Sequence, residues 1–304
     1  MNACKIYSWV VEAEDPPTAK LDKTGKLVSC PKKLLNLYSE TYSERLGHRK
    51  MKKEYEDVFH LKNQLWDMRF NECKEIKTDS WDMKNLKSVL KTLKNNKARD
   101  PLGMVKDIFK PGIIGEKLEQ SILALMNSIK TECFVQTFMR LANISSIYKK
   151  KGSNQDLEND RGIFVLGVLR GVLDKLIYID LYPEIEENMS NSNIGALKNK
   201  NVRNHLFVLY GIINSVIRGE SPCIDIQIFD LIKCFDSLWL EDVMNDLFES
   251  VPRTGQNDKL ALLYKTNSEN YVSVKTSVGK TENKFTKNCH AGGLMGSHAV
   301  FQLS

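Results

Sequence analysis

The chain has 304 residues, 42% apolar and 27% charged, with 44 basic and 38 acidic side chains and a net charge of +6. That length buries a sizeable core with a soft prior of two domains, and the mild basic excess permits a polyanionic partner. Seven scattered cysteines form no C-x-x-C pair, so neither a zinc site nor a disulfide framework is indicated, and no uncharged run reaches the ~18 residues of a membrane span. Because the N-terminus lacks a basic-then-apolar signal, the expectation is a soluble intracellular protein with reduced thiols.

Residues 1–30 are mixed, with Pro16-Pro17 breaking any helix and Thr24-Gly25 marking a turn. From Pro31, the spacing of Leu34, Leu35, Tyr38, Tyr42 and Leu46 predicts a helix that ends at Gly47. A charged helix over 51–73 follows, with Val58, Leu61, Leu65 and Met68 on one seam, read as a satellite of the main domain. A third helix over 80–94 buries Leu86, Val89, Leu90 and Leu93, then runs into Lys94-Asn95-Asn96-Lys97-Ala98-Arg99-Asp100-Pro101-Leu102-Gly103. Pro101 and Gly103 force a turn there, which leaves Lys94, Lys97 and Arg99 at an exposed helix end and loop. Between Lys84 and Lys110 eight basic residues face two acids, an excess equal to that of the whole chain. Such runs are usually solvated surface; the functional reading is a loop that faces phosphates and releases counterions.

Leu118, Ile122, Leu125, Met126 and Ile129 mark a core helix. Ile144 to Ile147 reads as a strand delivering Tyr148-Lys149-Lys150-Lys151-Gly152, and Arg161 to Val165 as a second strand. Three adjacent lysines at a strand end repel unless an anion is near. A helix over Leu169–Tyr182 is expected to stop at Pro183. The segment Asn193-Ile194-Gly195-Ala196 leads to Arg203 and a helix with Leu206, Leu209, Tyr210, Ile213 and Ile217 as its buried stripe. His205 reads as a polar first-turn residue, since no Cys or His is spaced to share a metal with it.

Ile224, Ile226 and Ile228 alternate with polar or unlike residues, the signature of a strand, and the parity brings Asp230 next on the isoleucine side. Phe235-Asp236-Ser237 then opens an amphipathic helix with Leu240, Val243, Met244, Leu247 and Phe248 on one face. Alone, Asp230 reads as a solvated acid at a strand end. A helix over 259–265, a strand over 271–278, a turn at Gly279-Lys280 and a returning strand within 281–288 complete the pattern, before Cys289-His290-Ala291-Gly292-Gly293.

Taken together, these segments resemble the reverse transcriptase domain of non-LTR retrotransposons. Asp230-x-x-x-x-Phe235-Asp236 after an apolar strand is similar to the first palm motif, Lys97-Ala98-Arg99-Asp100-Pro101-x-Gly103 to a finger motif, and Tyr148 to Gly152 with Arg161-Gly162-Ile163 to the fingers hairpin. Gly162 stands where proline is common, and Ala291 where glutamine is expected ahead of Gly292-Gly293.

The resemblance implies an α+β right-hand polymerase fold, with fingers, a partial palm built on a small antiparallel sheet backed by helices, and a helical N-terminal connector. It divides the chain into 1–80 as connector, 81–220 as fingers with adjoining palm helices, and 221–304 as partial palm. It implies two-metal nucleotidyl transfer with Mg²⁺ on Asp230, and Phe235 as a gate against the ribose 2′-hydroxyl. Lys149, Lys150, Lys151, Arg161, Gly292 and Gly293 would meet the nucleotide, and Lys94, Lys97, Arg99 and Arg203 the nucleic acid. The implied partners are an RNA template, a DNA primer and deoxynucleotides. The family's Tyr/Phe-x-Asp-Asp motif would fall beyond Ser304, so the readings that stand are a fragment of a polymerase, a catalytically dead remnant that binds nucleic acid through basic fingers, and, as a weaker third, a helical scaffold with no ligand. Which of the three adjacent lysines points into the site is left open by a single sequence.

Overall fold

A short hairpin of β1 (Lys20–Leu21) and β2 (Leu27–Val28) opens the computed structural model. The model describes residues 19–46, 79–95, 97–188, 202–220, 223–228, 257–282 and 284–286, with isolated helical positions at 57, 61, 64, 65, 68, 240, 243–245 and 247. The hairpin's turn is closed by Asp22, whose Oδ1 accepts from the Thr24 and Lys26 amides at 2.9 Å, while Gly25 takes the left-handed conformation at φ +80°. Helix α1 (Pro31–Leu46) follows with the predicted bounds.

Helices α2 (Met83–Lys91) and α3 (Glu116–Glu132) come next, then the strands β3 (Leu141–Tyr148) and β4 (Asp160–Leu166). Asp82 caps α2 in a reciprocal capping box with Asn85, which fixes where that helix begins. Helices α4 (Val168–Asn188), α5 (Val202–Ile217) and α6 (Asn257–Asn267) precede β5 (Asn270–Thr276), β6 (Gly279–Lys280) and β7 (Lys284–Thr286).

The fold is α+β, and its larger sheet is mixed where a purely antiparallel one was expected. Strands β3 and β4 pair antiparallel from Ala142↔Leu166 to Tyr148↔Asp160, whereas β3 and β5 run parallel from Leu141↔Tyr271 to Ser145↔Lys275. A parallel pair needs a long crossover, and here the intervening chain includes β4 and the helices α4, α5 and α6. Strand β4 is an edge. One sheet face is covered by α1, whose Leu34, Leu37, Tyr38 and Tyr42 pack on Ala142, Ile144, Phe164, Val272 and Val274. A second, helical core joins α2, α3, α4 and α6 and includes Leu240, Val243, Met244 and Leu247, the face predicted for the helix after Phe235.

Two buried cations tie these layers together. Arg170, 1% exposed, donates to Asp174 Oδ1 at 2.9 Å, Asn267 Oδ1 at 2.9 Å and Asn270 Oδ1 at 3.2 Å, linking α4 to α6 and β5. Lys130 lies 4.3 Å over the Trp81 ring and donates to Asp180 Oδ2 at 2.7 Å, the same oxygen that accepts from the Trp81 indole.

Four further expectations are corrected. Residues 223–228 form no strand, and Ile228 is 90% exposed; an extended segment becomes a strand only through ladder bonds, and these six have no ladder partner among the described residues. Helix α5 forms, but Leu206, Tyr210 and Ile217 of its expected buried stripe are exposed, as is Phe207 on another side. The seam of Leu61, Leu65 and Met68 is also exposed. Pro183 does not stop α4, which continues to Asn188, because Leu181, Tyr182 and Ile185 are buried on both sides of the proline and hold the helix across the missing amide. No helix among the described residues is long and apolar enough to cross a membrane.

Candidate nucleic-acid interface

The β3–β4 hairpin carries one basic cluster at its tip. Lys149, Lys150 and Lys151 are all exposed, and the chain turns through left-handed conformations at Lys150 (φ +56°) and Gly152 (φ +79°). The Tyr148 hydroxyl donates to the Gly152 carbonyl, and the Lys149 Nζ to the Glu158 carbonyl at 3.0 Å. At the base, Lys20 and Asp160 form a buried pair at 2.9 Å, and Ser146 donates to the same carboxylate oxygen at 2.7 Å. A cross-braced hairpin of this kind presents its tip on a stiff support.

The acids near the tip are already engaged. Asp156 Oδ1 accepts from the Glu158 amide at 2.9 Å, and the Glu158 carboxylate lies 3.6 Å from Arg45. No carboxylate among the described residues pairs with Lys149, Lys150 or Lys151. Arg161 lies exposed on the face of β4 turned away from α1, opposite Ile147, with Ile163 two residues on and Lys275 reached through Ser145. Gly162 is crossed by α1: a Cβ there would lie 2.7 Å from the Tyr42 ring and 3.1 Å from Ile144 Cγ2. The position expected to hold proline therefore admits only glycine in this packing.

The second cluster surrounds the loop after α2. Lys94, Lys97 and Arg99 are exposed, as the turn chemistry predicts, but the loop's shape is set by Asp100, which is buried. Its Oδ1 accepts from the Leu102 and Met104 amides at 2.9 and 2.8 Å, and its Oδ2 from Val168, the first residue of α4, at 2.9 Å. One carboxylate thus closes a turn and caps a helix 68 residues away.

Beside it lies a cavity of about 390 Å³, lined by Lys97 and Ala98, by Lys106 from the 3₁₀ turn at 106–109, by the end of β4 from Phe164 to Gly167, and by Gly171, Asp174 and Lys175 of α4. Burial, with Lys106 and Lys94 nearby, holds the Lys175 ammonium below the ordinary lysine range. It donates to the Thr92 hydroxyl. Sequence reading misses Lys106 and Lys175: both sit in helical contexts where a lone lysine reads as surface, and only the packing of α4 against the loop brings them to Lys97.

The two clusters are separate. The hairpin tip lies six ladder positions from the Leu166 end, about 20 Å at strand rise. Arg203 is exposed at the start of α5. Asp230, Phe235, Gly292 and Gly293 lie outside the described residues, and with them the residue expected to hold Mg²⁺. Among the described residues no three His, Cys, Asp or Glu side chains come together to hold a metal. Two comparisons accompany this geometry: no family model matches the chain, and no curated protein matches it.

Proposed function

We propose that the chain is part of a non-LTR retrotransposon reverse transcriptase, and that its described portion grips the phosphate backbone of a nucleic acid. The polymerase reading rests on the order of motifs, from Lys97-Ala98-Arg99-Asp100 through Lys149-Lys150-Lys151 to Asp230 and Phe235. The grip rests on one observation: three adjacent lysines on a braced hairpin without a carboxylate partner among the described residues. An unpaired cationic tip gains by displacing counterions from a polyanion. In a complete polymerase Mg²⁺ would supply Lewis-acid activation of the primer oxygen, with Asp230 as one of its ligands. The lysines bind and orient the strand.

The test is titration of a single-stranded RNA at several salt concentrations, on wild type and on Lys149→Gln/Lys150→Gln/Lys151→Gln. Each phosphate contact contributes ~0.7 to the slope of log affinity against log salt, so the triple variant should flatten that slope by about 2. A zero slope in the wild type, or an unchanged slope in the variant, refutes the grip. The polymerase reading is tested by primer extension with protein that includes a downstream Tyr/Phe-x-Asp-Asp motif: the wild type should extend a primer and Asp230→Ala should not, and no extension by the wild type, or extension that survives the substitution, refutes it.

A further inference from the structure

The cavity between the Lys97 loop and α4 has features that backbone binding does not require. Its three lysines come from three separate elements, the loop, the 3₁₀ turn and the second turn of α4, so their convergence is a product of the fold. Holding like charges together around a partly buried ammonium costs free energy that an anion would return. The two acids in the wall cancel only part of that charge: Asp174 is paired with the buried Arg170, and Asp100, whose oxygens are held by three backbone amides, offsets one lysine and leaves the lining cationic. The first amide of α4 is occupied by Asp100, so the lysines rather than the helix end define the anion's position.

The rest of the lining is apolar or bare. Phe164, Leu166 and Ala98 contribute to the wall, and a Cβ built at Gly171 meets nothing within 4 Å. A volume of about 390 Å³ suits a small molecule, within the ~300–1,000 Å³ range of ligand pockets. A diester within a continuous strand has one charge and must run on in both directions. A monoester carries about −1.5 to −2 and ends there, which matches three lysines around a pocket.

We infer that this cavity binds a dianionic phosphomonoester attached to an apolar or aromatic body, as in a nucleoside monophosphate. The phosphate meets Lys97, Lys106 and Lys175, and the body lies toward Phe164 and Leu166. Two sources share this chemistry, a free nucleotide and the 5′-phosphate end of a strand. The strand-end source rests on the nucleic-acid reading above, whereas the pocket itself does not.

The experiment titrates the full chain with AMP, with adenosine, and with one single-stranded 12-mer bearing either a 5′-phosphate or a 5′-hydroxyl. Lys106→Gln removes charge from the pocket and Gly171→Leu fills it; neither touches the hairpin. AMP should bind, adenosine should not, and each variant should weaken AMP by about tenfold or more, the effect of losing a charged hydrogen bond. Tighter binding of the 5′-phosphorylated 12-mer, lost in both variants, identifies the strand end as source; equal binding of the two oligonucleotides with AMP bound identifies the free nucleotide. AMP binding no better than adenosine, or unchanged in both variants, overturns the inference. Failure of both 12-mers with AMP still bound overturns the backbone grip and leaves the pocket standing.

Discussion

Replacing Arg170 by leucine removes a side chain that ties α4 to both α6 and β5. The guanidinium is 1% exposed and donates to Asp174, Asn267 and Asn270 at 2.9 to 3.2 Å. Leucine leaves the Asp174 carboxylate, itself 7% exposed, buried without its partner. Breaking a buried pair from one side costs about 3–5 kcal/mol, a large share of the roughly 5–15 kcal/mol that separates a native domain from its unfolded chain. The two asparagines retain their donor bonds, Asn267 to the Leu263 carbonyl and Asn270 to the Asn267 carbonyl, and lose only an acceptor bond each. Arg170→Leu/Asp174→Leu should therefore recover about 2 kcal/mol of the single-variant loss, because no carboxylate is left stranded. Urea denaturation followed by circular dichroism measures both. A cost below about 1 kcal/mol for Arg170→Leu, or a double variant less stable than the single, refutes the assignment of Arg170 as a charge-balanced tie.

Three further predictions test the site's supports. Asp100→Ala should lower stability by about 3 kcal/mol, since it releases three amides at once; unfolding midpoints check it, and a change within experimental error would show that the loop and α4 are held by other contacts. Gly162→Ala should cost about 1–3 kcal/mol by forcing Tyr42 away from the sheet, whereas the same change combined with Tyr42→Ala should cost no more than Tyr42→Ala alone. Lys175 is held below its ordinary value of 10.5 by burial and by Lys106 and Lys94, so between its folded and unfolded values the unfolded chain binds more protons. Stability then rises as pH climbs through that window, and below it, where both states hold the proton, this contribution stays at its low, constant level. Lys175→Met should flatten that rise in urea titrations above neutral pH, and an unchanged profile would argue against the charge cluster.

What the sequence determines by itself is the set of interactions made within a few residues. The apolar spacing of α1, α2 and α3 and the β3–β4 hairpin depend on neighbours at i+3, i+4 or across one turn, and all are visible as period. The exposed basic clusters are legible for the same reason, because a turn forced by Pro101 and Gly103 or a tripled lysine before Gly152 admits few conformations. Period also shows that a face is apolar without showing what covers it. That is why the stripe of α5 and the seam at 61–68 read as packed faces yet stand exposed, and why 223–228 reads as a strand without forming one.

Tertiary structure alone decided the rest. The parallel pairing of β3 with β5 joins residues 130 apart, and the contact that reserves position 162 for glycine comes from Tyr42 in a helix far upstream. Asp100 reads in the sequence as part of a basic loop and proves to be the cap of α4, while Lys106 and Lys175 become site residues only where α4 packs beside that loop. Local period cannot encode such meetings, because they depend on which of several apolar faces find one another, and that choice is made by the whole core at once.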